Sequence, residues 1–283
     1  MIDPNALLEI EPQLRLGAFI FIFGLMASLE FVRPRRPLSI SKKLRWSSNI
    51  GLVFTYTILA RLVLPMAPVM FAGFCAQQNW GGLNGVAWPN WIEMIVAITI
   101  MDFTIWGQHI LAHKLPWFWR LHLVHHSDQD YDVTTGARFH PFEIIISLGI
   151  KFGIIAITGA SPIAVLLFEI TLNGMAIFNH ANVRLPLALD RILRRVVVTP
   201  DFHRVHHSVI VKETNSNYGF FLSIWDLTFG TYVAQPARGH EDMEIGLDIF
   251  RGTTEQRLDK MLTQPFRPGI KSGIKPGTEP GKE

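Results

Sequence analysis

The sequence has few charged residues and almost no cysteine. Its single cysteine, Cys75, excludes an intrachain disulfide and an iron–sulfur cluster held by cysteines of this chain alone. Charged residues make up 17% of the 283 residues and hydrophobic residues 49%, whereas soluble domains carry about 25% charged residues. This composition predicts an integral membrane protein with one main domain. The net charge of +3 arises from basic residues that border apolar runs, so we expect a membrane-orientation signal and no nucleic-acid partner.

Five apolar runs predict a helical bundle in the membrane. They cover residues 16–31, 50–74, 91–112, 144–158 and 163–178. Arg61, Pro65 and Pro68 interrupt the second run, so we expect a kinked span there. The fourth run is short for a full crossing, so a shallow or re-entrant hairpin with the fifth is an alternative to two passes. The expected fold is all-α: an integral membrane helical bundle of about four to five transmembrane passes, with a cytoplasmic histidine-rich helical cap.

Basic residues lie beside particular runs and predict the orientation of the bundle. Six lysines and arginines fall between residues 33 and 45, and further arginines follow the fifth run. The segment 76–90 has no charged residue and contains Trp80 and Trp88. Because basic clusters beside membrane spans stay cytoplasmic, we expect residues 33–45 and every histidine group on the cytoplasmic side, and 76–90 on the other.

The composition changes again after the last apolar run. Past Ser208 it is that of a soluble cap, in which Thr253 and Gln256 resemble a capping box opening a short helix to about Thr263. From Pro265 onward proline, glycine and lysine dominate, which predicts a disordered tail. We therefore divide the chain into a membrane-embedded domain at 1–264, with a histidine-rich core at 95–232, and a disordered tail at 265–283.

Histidines are concentrated in one stretch of the chain, and their spacings repeat. Ten of the eleven lie between residues 109 and 207. His109 and His113 form H-x-x-x-H, and the motif H-x-V-H-H-S occurs at 122–127 and again at 203–208. Residues at i, i+3 and i+4 share one helix face, so each motif aims two or three imidazoles at one point. Neutral imidazole binds Zn, Fe, Cu and Ni, and eight or more histidines together indicate two metal ions.

Histidines buried for packing, or titrating with pH, are the alternative interpretation. It suits the isolated His240, but it does not explain two copies of one motif beside an i, i+4 pair. We expect each H-x-V-H-H-S motif to serve mainly one metal of the pair.

Two carboxylates inside apolar runs lie on the same helix faces as histidines. Asp102 precedes His109 by seven residues, and Glu169 precedes Asn173 and His180 by four and eleven. Ionisable residues within a span are costly unless they face a site or the protein interior. Metal-bound imidazoles also need an acceptor for their second ring N–H. Asp102 and Glu169, with Asn173 beside them, are therefore candidates for that acceptor or for direct ligands; the alternative is packing against a serine or tryptophan.

The ligand types distinguish between classes of metal protein. The Glu-x-x-His pattern of soluble di-iron bundles and the H-E-x-x-H pattern of zinc hydrolases are both absent from the sequence. The histidine pattern instead resembles that of the membrane fatty acid hydroxylase / sterol desaturase superfamily, over about residues 95–232. The resemblance rests on the three histidine motifs and on further elements, which are R-F-H-P-F-E at 138–143, N-H at 179–180, T-P-D-F-H at 199–203, N-Y-G at 217–219 and W-D-L-T-F-G-T at 225–231.

This resemblance implies a non-haem di-iron monooxygenase that uses O2 and two electrons to attack a C–H bond of a lipid. It implies metal ligation by His109, His113, His122, His125, His126, His203, His206 and His207, and by His140 and His180 from between the two longer motifs. Alternatively His140 supports the site without ligating, with Arg138 and Glu143 as its ion pair. Asn179 is expected to be a water-mediated partner of His180.

The resemblance also implies the partners of the reaction. We expect two iron ions, O2 as co-substrate, a lipid from the bilayer, and a separate electron donor of the cytochrome b5, ferredoxin or reductase type. A lipid desaturase with the same site is one alternative. A membrane metal transporter or a haem-binding subunit is another, but a transporter places its ligands midway across the bilayer and a b-type haem needs only two axial histidines.

Overall fold

A computed structural model of the chain describes residues 4–270, and within this range the protein is helical. Apart from helices, the described residues form three isolated antiparallel bridges and no strand of a sheet. The α-helices are α1 (Pro4–Glu9), α2 (Glu11–Val32), α3 (Lys42–Val63), α4 (Pro68–Gln77), α5 (Asn90–Lys114), α6 (Pro116–His126), α7 (Pro141–Thr158), α8 (Pro162–Asn179), α9 (Leu187–Leu193), α10 (Pro200–His206), α11 (Val211–Thr214), α12 (Ile224–Phe229), α13 (Gly239–Asp242) and α14 (Leu258–Met261). Short 3-10 helices cover Gly82–Gly85, Thr135–Ala137, Thr253–Gln256 and Gln264–Phe266.

Five segments in the described part of the chain are long and apolar enough to cross a membrane. They are Glu11–Val32, Lys42–Gly85, Asn90–Lys114, Pro141–Thr158 and Pro162–Asn179. The expected all-α bundle of membrane-spanning helices is thus confirmed. The second segment contains α3 and α4, separated by a break at residues 64–67. Pro65 and Pro68 lack the backbone N–H that a continuous helix needs, which explains why the helix stops there.

The uncharged segment 76–90 and the basic residues between 33 and 45 contact opposite ends of the bundle. We call the first the uncharged loop and the second the basic stretch. Helices α7 and α8 form a hairpin, and a Cβ built on Gly81 of the uncharged loop would lie 2.0 Å from the backbone nitrogen of Gly159 in its turn. At the opposite end Arg35 pairs with Asp201 at 3.3 Å, and Arg45 pairs with Asp128. The basic stretch therefore lies at the same end as both H-x-V-H-H-S motifs. That this end is cytoplasmic stays a prediction.

Small side chains hold the middle of the bundle together. Ala72 of α4, Ala97 of α5 and Ala164 of α8 are completely buried in one apolar cluster. Alanine lets helix backbones approach closely, which is how membrane helices pack when lipid already solvates large apolar side chains. This close packing fixes the C-terminal end of α5, where the first histidine pair lies.

The cap after Ser208 consists of short helices joined by irregular segments. The continuous helix expected from Thr253 is wrong, because a 3-10 turn ends at Gln256 and α14 begins separately at Leu258. The Gln256 side chain is buried and bonds to Arg138 and to the Ser127 carbonyl, so it is not available to cap a helix.

Part of the segment expected to be a disordered tail lies within the described residues. Arg120 donates to the carbonyl oxygens of Pro265 and Arg267, each at 2.7 Å. The remainder of that segment, 271–283, lies outside the described residues. The domain boundary at 264 stays a prediction.

Candidate metal centre

Four helices and the residues at their ends bring nine histidines together at one end of the bundle. His109 and His113 come from the last turns of α5, and α6 supplies His122, His125 and His126. His180 follows directly after α8, while α10 and its C-terminal cap supply His203, His206 and His207. All nine side chains are at most 3% exposed. So many buried imidazoles in contact need a common partner.

The nine histidines form two groups, and within each group the facing ligand atoms all lie within 4.8 Å of one another. The first group consists of His109, His113, His122, His126 and His206. The second group consists of His125, His180, His203 and His207. Four or five nitrogen donors at this spacing match the ligand number of a transition-metal site.

The expectation that each H-x-V-H-H-S motif serves one metal does not match this grouping. In the first motif His122 and His126 belong to the first group and His125 to the second. In the other motif His203 and His207 belong to the second group and His206 to the first. The reason is helix geometry. Residues i, i+3 and i+4 share one broad face, but at about 3.6 residues per turn i+3 and i+4 lie on its two opposite flanks, about 100° apart, so they reach different groups.

Hydrogen bonds fix the ring orientation of most of these histidines. His109, His180 and His206 donate from Nδ1 to the carbonyl oxygens of Tyr218, Ala176 and Ser216, at 2.7, 2.8 and 2.7 Å. A carbonyl oxygen only accepts, so Nδ1 carries the hydrogen and Nε2 keeps its lone pair. His125 and His203 bond in the same way to carbonyl oxygens at 3.3 Å. The Nε2 lone pairs are therefore available inside the groups.

Several buried ring nitrogens of these histidines have no hydrogen-bond partner, and this shows whether the nine histidines suit metal ions. The Nε2 atoms of His113, His203 and His206 are buried and have no hydrogen-bond partner, and neither ring nitrogen of His126 or His207 has one. Buried polar atoms normally find a partner, and a cation supplies one for each lone pair. Burial also lowers the pKa of His125, His126, His203, His206 and His207 well below the usual histidine value. The neutral form that ligates metals is thereby favoured, so the donor set fits two ions.

Among the described residues, Glu143 is the one carboxylate that bonds to a histidine of either group. Its Oε1 accepts from His122 Nδ1 at 2.6 Å, and its side chain is buried. The expected ion pair with Arg138 is absent, because the Arg138 guanidinium donates to the Val124 carbonyl, Ser127, Asn49 and Gln256. Arg138 reaches the site through its own carbonyl oxygen, which accepts from His125. Both residues thus support histidines, through contacts other than those expected.

His140 and Asp102 are not brought to the histidine groups. His140 Nδ1 accepts from the Phe142 N–H at the start of α7, and its Nε2 lies 3.4 Å from the Leu262 carbonyl. Asp102 accepts from Trp225 Nε1 at 2.8 Å and from the Leu222 N–H at 3.2 Å. This is the tryptophan contact that we weighed as the alternative for a buried carboxylate. Asp102 anchors the segment after α10 to α5 and does not hold an imidazole.

The α8 residues expected to support the site have other partners. Glu169 pairs with Lys151 at 2.7 Å and with Arg15 at 3.3 Å, and Asn173 donates to the Glu169 carbonyl. Eleven residues separate Glu169 from His180, so they lie about 16 Å apart along the helix axis. Asn179 donates to the Phe220 carbonyl and accepts from Tyr131 Oη through its own carbonyl. Tyr131 in turn packs against the rings of His180 and His207.

Sequence reasoning missed the buried acidic segment that follows the first H-x-V-H-H-S motif. Asp128 and Asp132 both pair with Arg45 of α3, and all three side chains are fully buried. Asp130 accepts from the backbone N–H groups of residues 39 and 40. Burial raises the pKa of Asp128, but the charges of Arg45 and Arg138 outweigh it and hold this pKa at about 2. The signal available in the sequence was three aspartates at alternate positions beside the motif.

A cavity of about 380 Å³ reaches from the first histidine group into the bundle. His109, His122 and Glu143 line it, together with apolar side chains such as Ile105 and Phe220. No histidine of the second group is among its lining residues. The first group therefore faces a space of ligand size, and the second lies behind it.

A bundle of membrane-spanning helices with two buried histidine groups at one end defines the class of this protein, and comparison with known sequences identifies the family. The family model for fatty acid hydroxylase matches residues 94–231, which contain all nine clustered histidines. This match supports the superfamily that the histidine motifs predicted. No solved structure matches it.

Three relatives illustrate the range of similar proteins. The ornithine lipid hydroxylase OlsE of Rhizobium tropici is 32% identical over 187 residues, which cover 65% of this chain and 54% of that protein. The cholesterol 25-hydroxylase-like protein of Danio rerio is 23% identical over 80% of this chain and 95% of its own length. The alkylglycerol monooxygenase of Homo sapiens is 31% identical over 54% of this chain and 33% of its own length. The chain thus spans about half of the first of these relatives and a third of the last.

Proposed function

We propose that this protein is a membrane-bound di-iron monooxygenase that hydroxylates a C–H bond of a lipid. The observation that carries the proposal is the placement of the first histidine group, which closes one end of a cavity within a bundle of membrane-spanning helices. The names of the three relatives, which are hydroxylases and a monooxygenase of lipids, support the reaction class.

The reaction balances with external electrons. The lipid R–H, O2, two electrons and two protons give R–OH and water. When bound, the two irons supply O2 activation and the oxidation of an unactivated C–H bond. The described residues contain no cysteine other than Cys75 to build an electron-transfer cluster, so we assign the electrons to a separate donor of the cytochrome b5, ferredoxin or reductase type.

The proposed ligands are the nine histidines of the two groups. Five of the rings are held by Nδ1–H bonds to backbone carbonyls, which add no charge, and Glu143 adds one negative charge beside His122. His140 serves the start of α7 and is left out of the ligand set. Apolar side chains around His109 in the cavity exclude water and position the lipid chain. We further propose that the histidine end faces the cytoplasm, from the basic residues at 33–45.

Labelling with 18O2 tests this function. Protein loaded with iron is reconstituted with native lipids and a reductase system, and the lipids are analysed by mass spectrometry. Hydroxylation places one 18O atom in a lipid product, and the label disappears in the His207→Ala variant. Loss of two hydrogens without label would identify a desaturase. Neither change, from iron-loaded protein with reduced donor present, would refute the proposal.

A further inference from the structure

Four charged side chains line the same cavity away from the histidine groups; two are buried in the bundle, one is half-buried, and the fourth, Arg61, is exposed where the cavity opens. They are Arg15 of α2, Arg61 of α3, Lys151 of α7 and Glu169 of α8. Eight residues separate Lys151 from Glu143, so the two lie about 12 Å apart along α7. Charged residues within membrane spans are costly, and they mark binding or transport sites more often than structural ones. This charged layer therefore requires an explanation beyond packing.

Three of the four charges form a neutral network together with Glu11. Glu169 accepts from Lys151 at 2.7 Å and from Arg15 at 3.3 Å, and Arg15 also pairs with Glu11 at 2.7 Å. Two cations and two carboxylates make this network neutral. Arg61 has no hydrogen bond and no ion pair with any described residue. The exposed end of the cavity therefore carries one positive charge that no described side chain neutralises.

The surroundings of Arg61 suit the polar part of an amphiphile. Arg61 belongs to the last turn of α3, twelve residues and about 18 Å along the helix from Asn49, which bonds to Arg138 beside the histidines. The break at 64–67 also lines the cavity here, and the exposed Met66 and Met70 flank it on the outer surface. Gln108 lines the cavity too, and its buried Oε1 has no partner.

We propose that the cavity binds a lipid with an anionic group, a phosphate or a carboxylate, that pairs with Arg61. The apolar chain of this lipid extends toward His109 and His122. A guanidinium offers a forked set of donors that matches the oxygens of either anion, and the pair is strong in a space of low polarity. The inference rests on the proposed function and names its substrate class. The distance between Arg61 and the histidines then selects the carbon that is oxidised.

Binding of three single-chain probes tests the inference without turnover. Dodecyl phosphate, dodecanoate and dodecanol share one chain and differ in the head group. Their Kd values are measured by equilibrium dialysis against metal-loaded protein in a neutral detergent. We expect at least one anionic probe to bind about tenfold more tightly than dodecanol, which corresponds to about 1.4 kcal/mol. The order of phosphate and carboxylate identifies the anion.

Variants at Arg61 show whether this arginine causes the tighter binding of the anionic probes. Arg61→Gln should bind all three probes alike, and Arg61→Lys should keep part of the preference. Arg195→Gln is the matched control, because Arg195 is exposed and lies outside the cavity lining. If the glutamine variant does not fold, as judged by metal content and gel filtration, Arg61→Met takes its place.

The inference is overturned if wild-type protein binds the three probes alike, or if the uncharged variant keeps the preference. In the latter case Arg61 extends to the bilayer surface instead of facing a ligand. The readouts separate this inference from the proposed function. Arg61-dependent binding without oxygenated product would remove only the oxygenase proposal, and 18O-labelled product without head-group preference would remove only the anion site.

Discussion

The two histidine groups contain similar ligands but have different surroundings. The first group borders the cavity through His109 and His122, and Glu143 is its charged hydrogen-bond acceptor. The second group is enclosed, with Phe139 stacked on His125 at a centroid distance of 4.6 Å and Tyr131 packed against His180. Two nearly equivalent donor sets thus have unequal access to a ligand. We infer that an ion in the first group lies next to the lipid, and that the second group completes the metal pair from behind.

The adjacent residues His206 and His207 provide the largest expected effect, because they belong to different groups. We expect His206→Ala and His207→Ala each to abolish product formation, and each to lose one ion from its own group. Iron per chain, measured with product yield, checks this. His240→Ala is the control, since His240 lies outside both groups and should keep iron and activity. Loss of both ions in each variant would show that the groups form one indivisible site.

Replacing Glu143 should weaken the first group selectively. Its carboxylate holds His122 through a 2.6 Å hydrogen bond, and removing such a partner typically lowers metal affinity about 10–100-fold. Glu143→Ala should therefore release one ion to a chelator at lower concentration, while Glu143→Gln, whose amide oxygen still accepts, should release it later. Chelator titration followed by iron analysis provides the measurement. An equal loss of affinity for both ions would contradict the separation of the two groups.

Filling the cavity should affect lipid binding and leave both metal sites intact. Ala60 lines the cavity on α3, and Ile58 on the same helix is 60% exposed. We expect Ala60→Phe to raise the KM for a lipid by about tenfold, or about 1.4 kcal/mol, because the added ring would occupy space that the lipid chain needs. Ile58→Phe should leave KM unchanged. An unchanged KM in Ala60→Phe would show that the lipid binds elsewhere. A lowered iron content would show that the substitution disturbs the metal sites.

The smallest expected effect concerns the buried ion pairs between Arg45 and the aspartates at 128 and 132, which hold the segment before Arg138. The pKa of Asp128 is held at about 2, below its usual value of 3.8. A lowered carboxyl pKa stabilises the fold above pH 4 or so, and this contribution of about 2 kcal/mol is lost as pH falls through the folded-state pKa. Wild type should therefore exceed Asp128→Asn in thermal stability by a constant margin from pH 8 to about 5. The margin should shrink toward pH 2. If the stability difference between wild type and Asp128→Asn grew in acid, the charged form of Asp128 would not be the form that stabilises the fold.

The sequence was sufficient to predict that the histidines of the 109–207 stretch, other than His140, come together, but not how they divide. Spacing along a helix shows which histidines share a face, so the cluster from His109 to His207 was predictable. Which flank of one motif joins which flank of the other depends on how α6 and α10 face each other, and no local pattern encodes that. The same limit applies to Glu169. Its position on the His180 face suggested the site, but Lys151 on the neighbouring helix, 18 positions away, pairs with it instead.

Buried polar networks were the least predictable part of the site. Arg45 precedes Asp128 by 83 positions, and Gln256 follows Arg138 by 118, so each pair forms only after the bundle has folded. In contrast, the helix break at 64–67 was predictable because Pro65 and Pro68 act locally. The acceptors for His109 and His206 are backbone carbonyls, which every residue carries, so the sequence holds no sign of them.

The most direct test of the account is anomalous diffraction at the iron edge from crystals of the iron-loaded protein. The account predicts two peaks per chain, one surrounded by His109, His113, His122, His126 and His206, and the other by His125, His180, His203 and His207. The first peak should border the cavity. A single peak, or two peaks whose ligands follow the H-x-V-H-H-S motifs instead of the two groups, would contradict it.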